Sequence, residues 1–223
     1  MAGVNERRWG AVAAFATVIL WIIGFFIAGK PPAFNASAAK VVDYFRSNHK
    51  EVLIGAVLVA IGILLYLFAM SQLRLVLRGA GQRSAATQVG LCAGASAGLF
   101  AVGDAIYGTL GQAVQDPEAD AGVAKTMYQL GQFAGLPMYW IVIGIVFAVT
   151  TAVLRGLFIR LAVVLNSLIV ILLVLGGISV KASGAFAAGT GFFASIAFAA
   201  ALVFLVEVGI LLWTAEDPEP AAR

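Results

Sequence analysis

QVGLCAGASAGLFAVGDAIYGTLG, residues 88–111, decides the fold of this chain. The stretch is long and apolar enough to enter a bilayer, whose hydrocarbon core takes about twenty residues of helix. Gly90, Gly94 and Gly98 recur every fourth residue, and so do Ala93, Ala97, Ala101 and Ala105. On a helix these rows lie side by side, so one face carries almost no side-chain bulk. Such faces let neighbouring membrane helices approach to backbone contact. Asp104, the one charge in the stretch, falls on the same side as Gly90, Ala97 and Gly111. Its carboxyl therefore belongs on a face covered by protein. This helix is expected at the centre of a bundle, with Gly90, Gly94 and Gly98 as its packing row.

Outward from that centre the rest of the chain reads the same way. Its 223 residues are 62% hydrophobic and 11% charged. Soluble domains carry about 25% charged residues, so residues 1–223 read as a single integral membrane domain. The expected fold is all-α, a six-helix transmembrane bundle with helices near 9–29, 52–77, 85–111, 126–154, 161–178 and 191–213. The first run follows Arg7 and Arg8 and precedes Ala36-Ser37-Ala38, the ingredients of a signal peptide. A signal's apolar core is about 7–15 residues, and this run is longer, so it reads as an uncleaved span.

Between the first two spans, Pro31 and Pro32 stop one helix and Asn35 or Ser37 can cap another. Ala38, Val41, Val42 and Phe45 then form an apolar stripe at helical spacing. A short amphipathic surface helix near 37–49 is expected in this first outer loop, closed by His49 and Lys50. The tail 214–223, TAEDPEPAAR, is acidic and proline-containing and is expected to be disordered.

Short-loop cations set the orientation. Arg74, Arg78 and Arg83 flank one turn and Arg155 and Arg160 another, whereas two other loops hold only Lys125 and Lys181. The positive-inside rule then places both termini in the cytoplasm of a multi-pass cell-membrane protein. Lys30, Lys40, Arg46 and Lys50 in the first outer loop run against that assignment.

Four features together, the Pro stop, the amphipathic VVDYFRSNHK segment, a span ending LRLVLR and the Gly/Ala third span, carry a family likeness. The chain resembles a group of uncharacterised small polytopic membrane proteins of high-GC actinobacteria, known as domains of unknown function. The resemblance implies a host and a membrane fold, and no chemistry.

Two ionisable residues lie at depth, and such residues are costly there unless protein faces them. Asp104 sits ~10 Å below the outer surface and Glu207 ~9 Å above the inner one. Tyr107, Gln129, Gln132 and Tyr139 are expected at the level of Asp104, where Pro137 also frees the carbonyl of Phe133. Tyr66, Ser71, Gln72, Asn166 and Ser167 are expected near Glu207. The candidate ligand-binding residues are thus Asp104, Tyr107, Gln132, Tyr139 and Glu207. Each also has a structural reading. Asp104 with Gln132 would make a hydrogen-bonded lock between helices. Glu207 would pair with Arg74, Arg155 or Arg160. Tyr128 and Tyr139 would be core aromatics, and Trp9, Trp21, Trp140 and Trp213 belt or bundle residues. Cys92, the lone cysteine, would be a small hydrophobe.

Much chemistry is excluded. One His and one Cys cannot build a His/Cys metal site or a bis-His haem, and no metal or cofactor is assigned. No span holds the histidine that a Ser-His hydrolase needs. Ala101-Val102-Gly103-Asp104 lacks the first glycine of an intramembrane aspartyl-protease motif, and a second membrane Asp is missing. No phosphate-cradling loop exists, and nothing suggests nucleic acid. No catalytic residue is assigned. The partners expected are the lipid bilayer and a lipid or small-molecule ligand bound in, or passed through, a polar intramembrane cavity. The alternatives are an intramembrane enzyme acting on a lipid-like substrate, and an interaction subunit. The last would pack through its Gly/Ala helix face against a membrane-protein partner or a second copy.

Overall fold

The structure is a computed structural model, and it describes residues 4–154, 161–179, 181, 183–185, 187 and 190–215. Arg155, Arg160 and the tail from 216 onward lie outside the described residues. Seven helices follow one another: α1 (Val4–Ala28), α2 (Ala38–Ser47), α3 (His49–Gly79), α4 (Arg83–Ala113), α5 (Ala121–Leu154), α6 (Leu161–Gly177) and α7 (Phe192–Thr214). Of these, α1, α3, α4, α5 and α7 are long and apolar enough to cross a membrane, while α6 is apolar but shorter. This is the architecture of an integral membrane protein. Helices satisfy their own backbone groups in lipid, which is why such runs fold this way there. The outward faces fit that solvent: Phe26 is 87% exposed and Leu91 71%.

Local signals set the element ends. Gly81 takes φ 75° after α3. Its N–H donates to Arg78 O (3.1 Å), and that of Gln82 donates to Leu77 O (2.8 Å). A left-handed residue with this bond pair closes a helix, and glycine adopts it without strain. At the start of α5, Asp120 Oδ1 accepts from the N–H groups of Gly122 (2.7 Å) and Val123 (3.0 Å). That cap starts the helix at Ala121 rather than near 126. The helix then continues through Pro137.

The amphipathic segment forms α2, with Ser37 Oγ accepting from the N–H of Lys40 (3.4 Å) and Val41, Val42 and Phe45 buried. It ends two residues earlier than expected. Asn48 breaks it, its side chain donating back to Tyr44 O (2.8 Å), and His49 opens α3 instead of closing α2. Arg46 and His49 serve another helix end. Arg46 Nε donates to Val114 O (3.0 Å) and His49 Nδ1 to Gly111 O (2.8 Å) at the end of α4. Carbonyls there have no partner within their own helix, and cations suit that pole.

Six helices close a ring: α1 packs on α3, α3 on α4, α4 on α5, α5 on α6, α6 on α7, and α7 back on α1. The last joint brings the two described termini together. Arg7 Nη1 donates to Ala215 O (2.6 Å), and Arg8 lies 5.6 Å from the centre of the Trp213 ring. The opposite end of the ring carries α2.

Two expectations about the third span are overturned. The helix is not central: α4 is a wall of the ring, held between α3 and α5. Its buried face is Ala85, Ala86, Val89, Ala93, Ser96, Ala97, Ile106 and Leu110. The glycine row stands one residue, about 100°, further round; Gly94 and Gly98 face outward, and Gly90 is half-buried beside Arg74. A Cβ at Gly94 or Gly98 would meet nothing within 4 Å. At Gly90 it would lie 3.1 Å from Arg74 Cδ. Side chains that interdigitate fill the seam, and the bare glycines do not. Backbone approach occurs elsewhere, between α1 and α3, where a Cβ on Gly55 would lie 2.7 Å from Gly24 O. Cys92 is half-buried against α5, its sulfur 2.8 Å from where Gly144 would carry a Cβ.

Candidate cavity at the capped end of the ring

Small residues face inward from several helices at one level: Gly24 and Ala28 on α1, Gly55 and Ala56 on α3, Gly103 on α4, Gly131 and Gly135 on α5 and Ala194 on α7. The volume they leave unfilled is a cavity of about 350 Å³ inside the ring. Pockets of roughly 300–1,000 Å³ with mostly apolar walls and a few polar groups hold small molecules.

The polar groups of this cavity are Asp104 and Tyr107 from α4, Gln132 and Tyr139 from α5, Ser195 from α7 and Tyr44 from α2. Most are committed to the protein. Gln132 Nε2 donates to the hydroxyls of Tyr107 and Tyr128. Tyr139 donates to Ala194 O (3.1 Å), Ser195 to Gly191 O (3.1 Å) and Tyr44 to Ala28 O (2.6 Å). Burial pushes the Tyr44 phenol up to about 12, so it remains a donor at neutral pH.

Asp104 differs from all of them. Its carboxyl lines the cavity and forms no hydrogen bond or ion pair among the described residues. The expected Asp104–Gln132 lock is absent because two tyrosine hydroxyls take the Gln132 amide. Gln129 also lies elsewhere, donating to Phe34 O (3.1 Å).

The α1–α2 connection and α2 roof the cavity. Tyr128 donates to Pro32 O, the Phe34 ring meets Phe133 edge-on at 5.0 Å, and Phe34 N donates to Thr190 Oγ1 (3.4 Å). Below Asp104 the floor is aromatic. Trp21 meets Phe100 edge-on at 4.6 Å and stacks with Phe198 at 6.3 Å, and Phe25 meets Phe198 at 4.8 Å. Trp21 is held by its Nε1 donating to Val59 O (3.2 Å).

No family model, curated protein or solved structure matches this chain. Its chemistry therefore rests on its own atoms.

Glu207 lies outside the cavity and near the other end of the ring. It is 7% exposed and Asn166 beside it 0%. The two side chains face each other, but none of their four polar atoms meets hydrogen-bond geometry, nor does Gln72 Oε1. Of the inner polar level expected around Glu207, Asn166 is beside it, and Tyr66, Ser71 and Ser167 bond elsewhere. Tyr66 instead hydrogen-bonds Ser96 Oγ (2.8 Å). Ser71 and Ser167 return their hydroxyls to their own helices, at Phe68 O (2.7 Å) and Val163 O (2.8 Å). Arg74 lies along Gly90 on α4.

The structure thus brings Asp104, Tyr107, Gln132 and Tyr139 to one cavity and leaves Glu207 out. Sequence reading missed Tyr44, Phe25, Phe100 and Phe198 as its walls. Trp21 offered a signal, because a tryptophan in the middle of a span is too deep for the interfacial belt.

Proposed function

We propose that this protein is a membrane receptor or carrier for a small molecule held in the cavity beside Asp104. The observation that supports this is a chamber of about 350 Å³ walled by five of the ring's six helices, with α2 over it. The aromatic floor closes it toward the other end, so the reading is of a bound state with passage gated at Trp21, Phe100 and Phe198.

In this reading α6 serves as the sixth span. The end bearing the termini is cytoplasmic, and the host is an actinobacterium with the chain in its cell membrane. The short-loop charges support the orientation: Arg74, Arg78 and Arg83 flank the α3–α4 turn, against Lys125 and Lys181 in the loops at the other end, while Lys30, Lys40, Arg46 and Lys50 around α2 oppose it. A cysteine at exposed Ser47, in a Cys92→Ser background, should react with an impermeant reagent on intact cells. Labelling only after lysis reverses the topology.

The cavity is tested with 1-aminoanthracene, a small neutral fluorophore. Saturable binding to purified wild-type protein is expected. Gly135→Leu, which fills cavity space where a Cβ meets nothing within 4 Å, should weaken it at least roughly tenfold. Gly98→Leu on the outer face should not. Equal binding by all three proteins removes the reading.

A second reading has its own observation. Gly94, Ala95, Gly98, Ala101 and Ala105 stand exposed along α4. Such a face suits close helix–helix contact with a second copy of the chain. Gly98→Cys in the Cys92→Ser background should then give a disulfide-linked dimer on oxidation in membranes. A monomer at every protein level excludes it.

A further inference from the structure

The cavity's charge and hydrogen-bond inventory narrows the class of molecule it takes, an inference that rests on the cavity reading above. Among the described residues no Lys, Arg or His lines it, and Asp104 is its one carboxyl. Most side-chain donors are already spent on the protein: Tyr44, Tyr139 and Ser195 on backbone carbonyls, Gln132 on two tyrosine hydroxyls; Tyr107 accepts from Gln132 and keeps its own O–H. An anionic or carbonyl-rich ligand would bring acceptors to a site with few side-chain donors left to meet them. Its charge would also face the carboxyl. What the site lacks is a positive partner for Asp104.

The walls suit such a partner. Phe25, Phe100 and Phe198 line the same chamber, with Tyr44, Tyr107 and Tyr139 at other levels. Phe100 and Phe198 are locked by ring contacts to Trp21, so their orientation is set before anything binds. Aromatic faces attract cations, most strongly where water is excluded, and they bury the apolar body of the same molecule. A carboxylate without an internal counter-charge gains more from an incoming cation than one already paired.

We propose that the cavity binds a lipophilic organic cation, an aromatic or branched ammonium or phosphonium whose charge lies against Asp104. The small residues that hollow the chamber set its size limit, and Gly135 marks a wall with room to spare. Inorganic cations are not the class, because among the described residues no group of three His, Cys, Asp or Glu side chains stands together to complete a coordination shell.

Tetraphenylphosphonium and tetraphenylborate test this, since they share a shape and differ in sign. Equilibrium binding is measured on purified full-length protein in neutral detergent. Wild-type protein should bind the phosphonium saturably and at least roughly tenfold more tightly than the borate. Asp104→Asn, nearly isosteric at a group with no hydrogen bond to lose, should elute and melt like wild type and erase that preference. If Asp104→Asn fails to fold, the wild-type ratio of the two ions still decides. Equal affinity for both ions, or a phosphonium affinity unchanged in folded Asp104→Asn, overturns the cation assignment. If aminoanthracene still binds in a Gly135-sensitive way, the cavity reading survives that loss. If neither ion nor aminoanthracene distinguishes Gly135→Leu from wild type, both fall together.

Discussion

Asp104 and Glu207 are both carboxyls on long apolar helices, and the ring treats them in opposite ways. Around Asp104 the walls mix glycine and alanine with aromatic rings, the polar neighbours bond to one another or to backbone carbonyls, and about 350 Å³ stays open. Around Glu207 the helix is buried, with Phe204, Leu205, Val208, Leu211 and Leu212 of α7 all inside, and the acid faces Asn166 with neither in hydrogen-bond geometry. A buried polar atom with no partner costs about 1–3 kcal/mol. The same residue type is thus an opening for a ligand at one end and a strain on the fold at the other. At Asp104 the small residues on the facing helices make that opening.

The largest test of this contrast is steric. Gly209 lies in the closed end, where a Cβ would stand 2.8 Å from Phe15 Cζ on α1. Gly209→Leu should lower stability by about 1–3 kcal/mol or prevent folding, as overpacking does. Gly135→Leu should leave the melting temperature near wild type. Thermal unfolding in one detergent compares them, and equal losses would erase the distinction between hollow and packed ends.

Next comes Glu207 itself. Replacing it with leucine removes two unpaired buried oxygens, so Glu207→Leu should raise stability by about 1–3 kcal/mol. Asp104→Leu, facing open space, should move it far less. A collapse of Glu207→Leu would show that the acid has a partner, and the contrast would need redrawing.

A smaller effect sharpens the capped end. Tyr128 donates to Pro32 O and accepts from Gln132, tying the connection before α2 to α5. Tyr128→Phe should cost about 0.5–1.5 kcal/mol, and hydrogen exchange at residues 33–36 should quicken. Exchange unchanged there would mean that the roof is held by Phe34 and Gln129 alone.

Smallest of all is the lipid face of α4. Gly94→Leu should change monomer stability by no more than about 0.5 kcal/mol, while Ala11→Leu, at a fully buried position, should be clearly destabilising. The reverse order would put Gly94 back into a packed seam.

The apolar runs, their breaks at Pro31-Pro32 and Gly79-Ala80-Gly81, and the α2 stripe were readable from the chain alone. They depend on hydrophobicity and turn chemistry a few residues apart. Depth was readable too: counting from span ends put Asp104, Tyr107, Gln132 and Tyr139 at one level, where the structure has all four lining one cavity. Rotation about each helix axis was not. The glycine and alanine rows of α4 differ by one residue, and local sequence gives no reason to prefer either as the buried one. That choice waited for α3 and α5, whose side chains interlock with Ala93, Ser96 and Ala97 and not with Gly94 or Gly98. Hydrogen-bond partners were out of reach for the same reason. Gln132 had several candidates at its depth, and only the rotation of α4 and α5 gave its amide to Tyr107 and Tyr128 and left Asp104 alone. The hollow itself is a sum over separate helices, each contributing one or two small residues. No single stretch of sequence contains it.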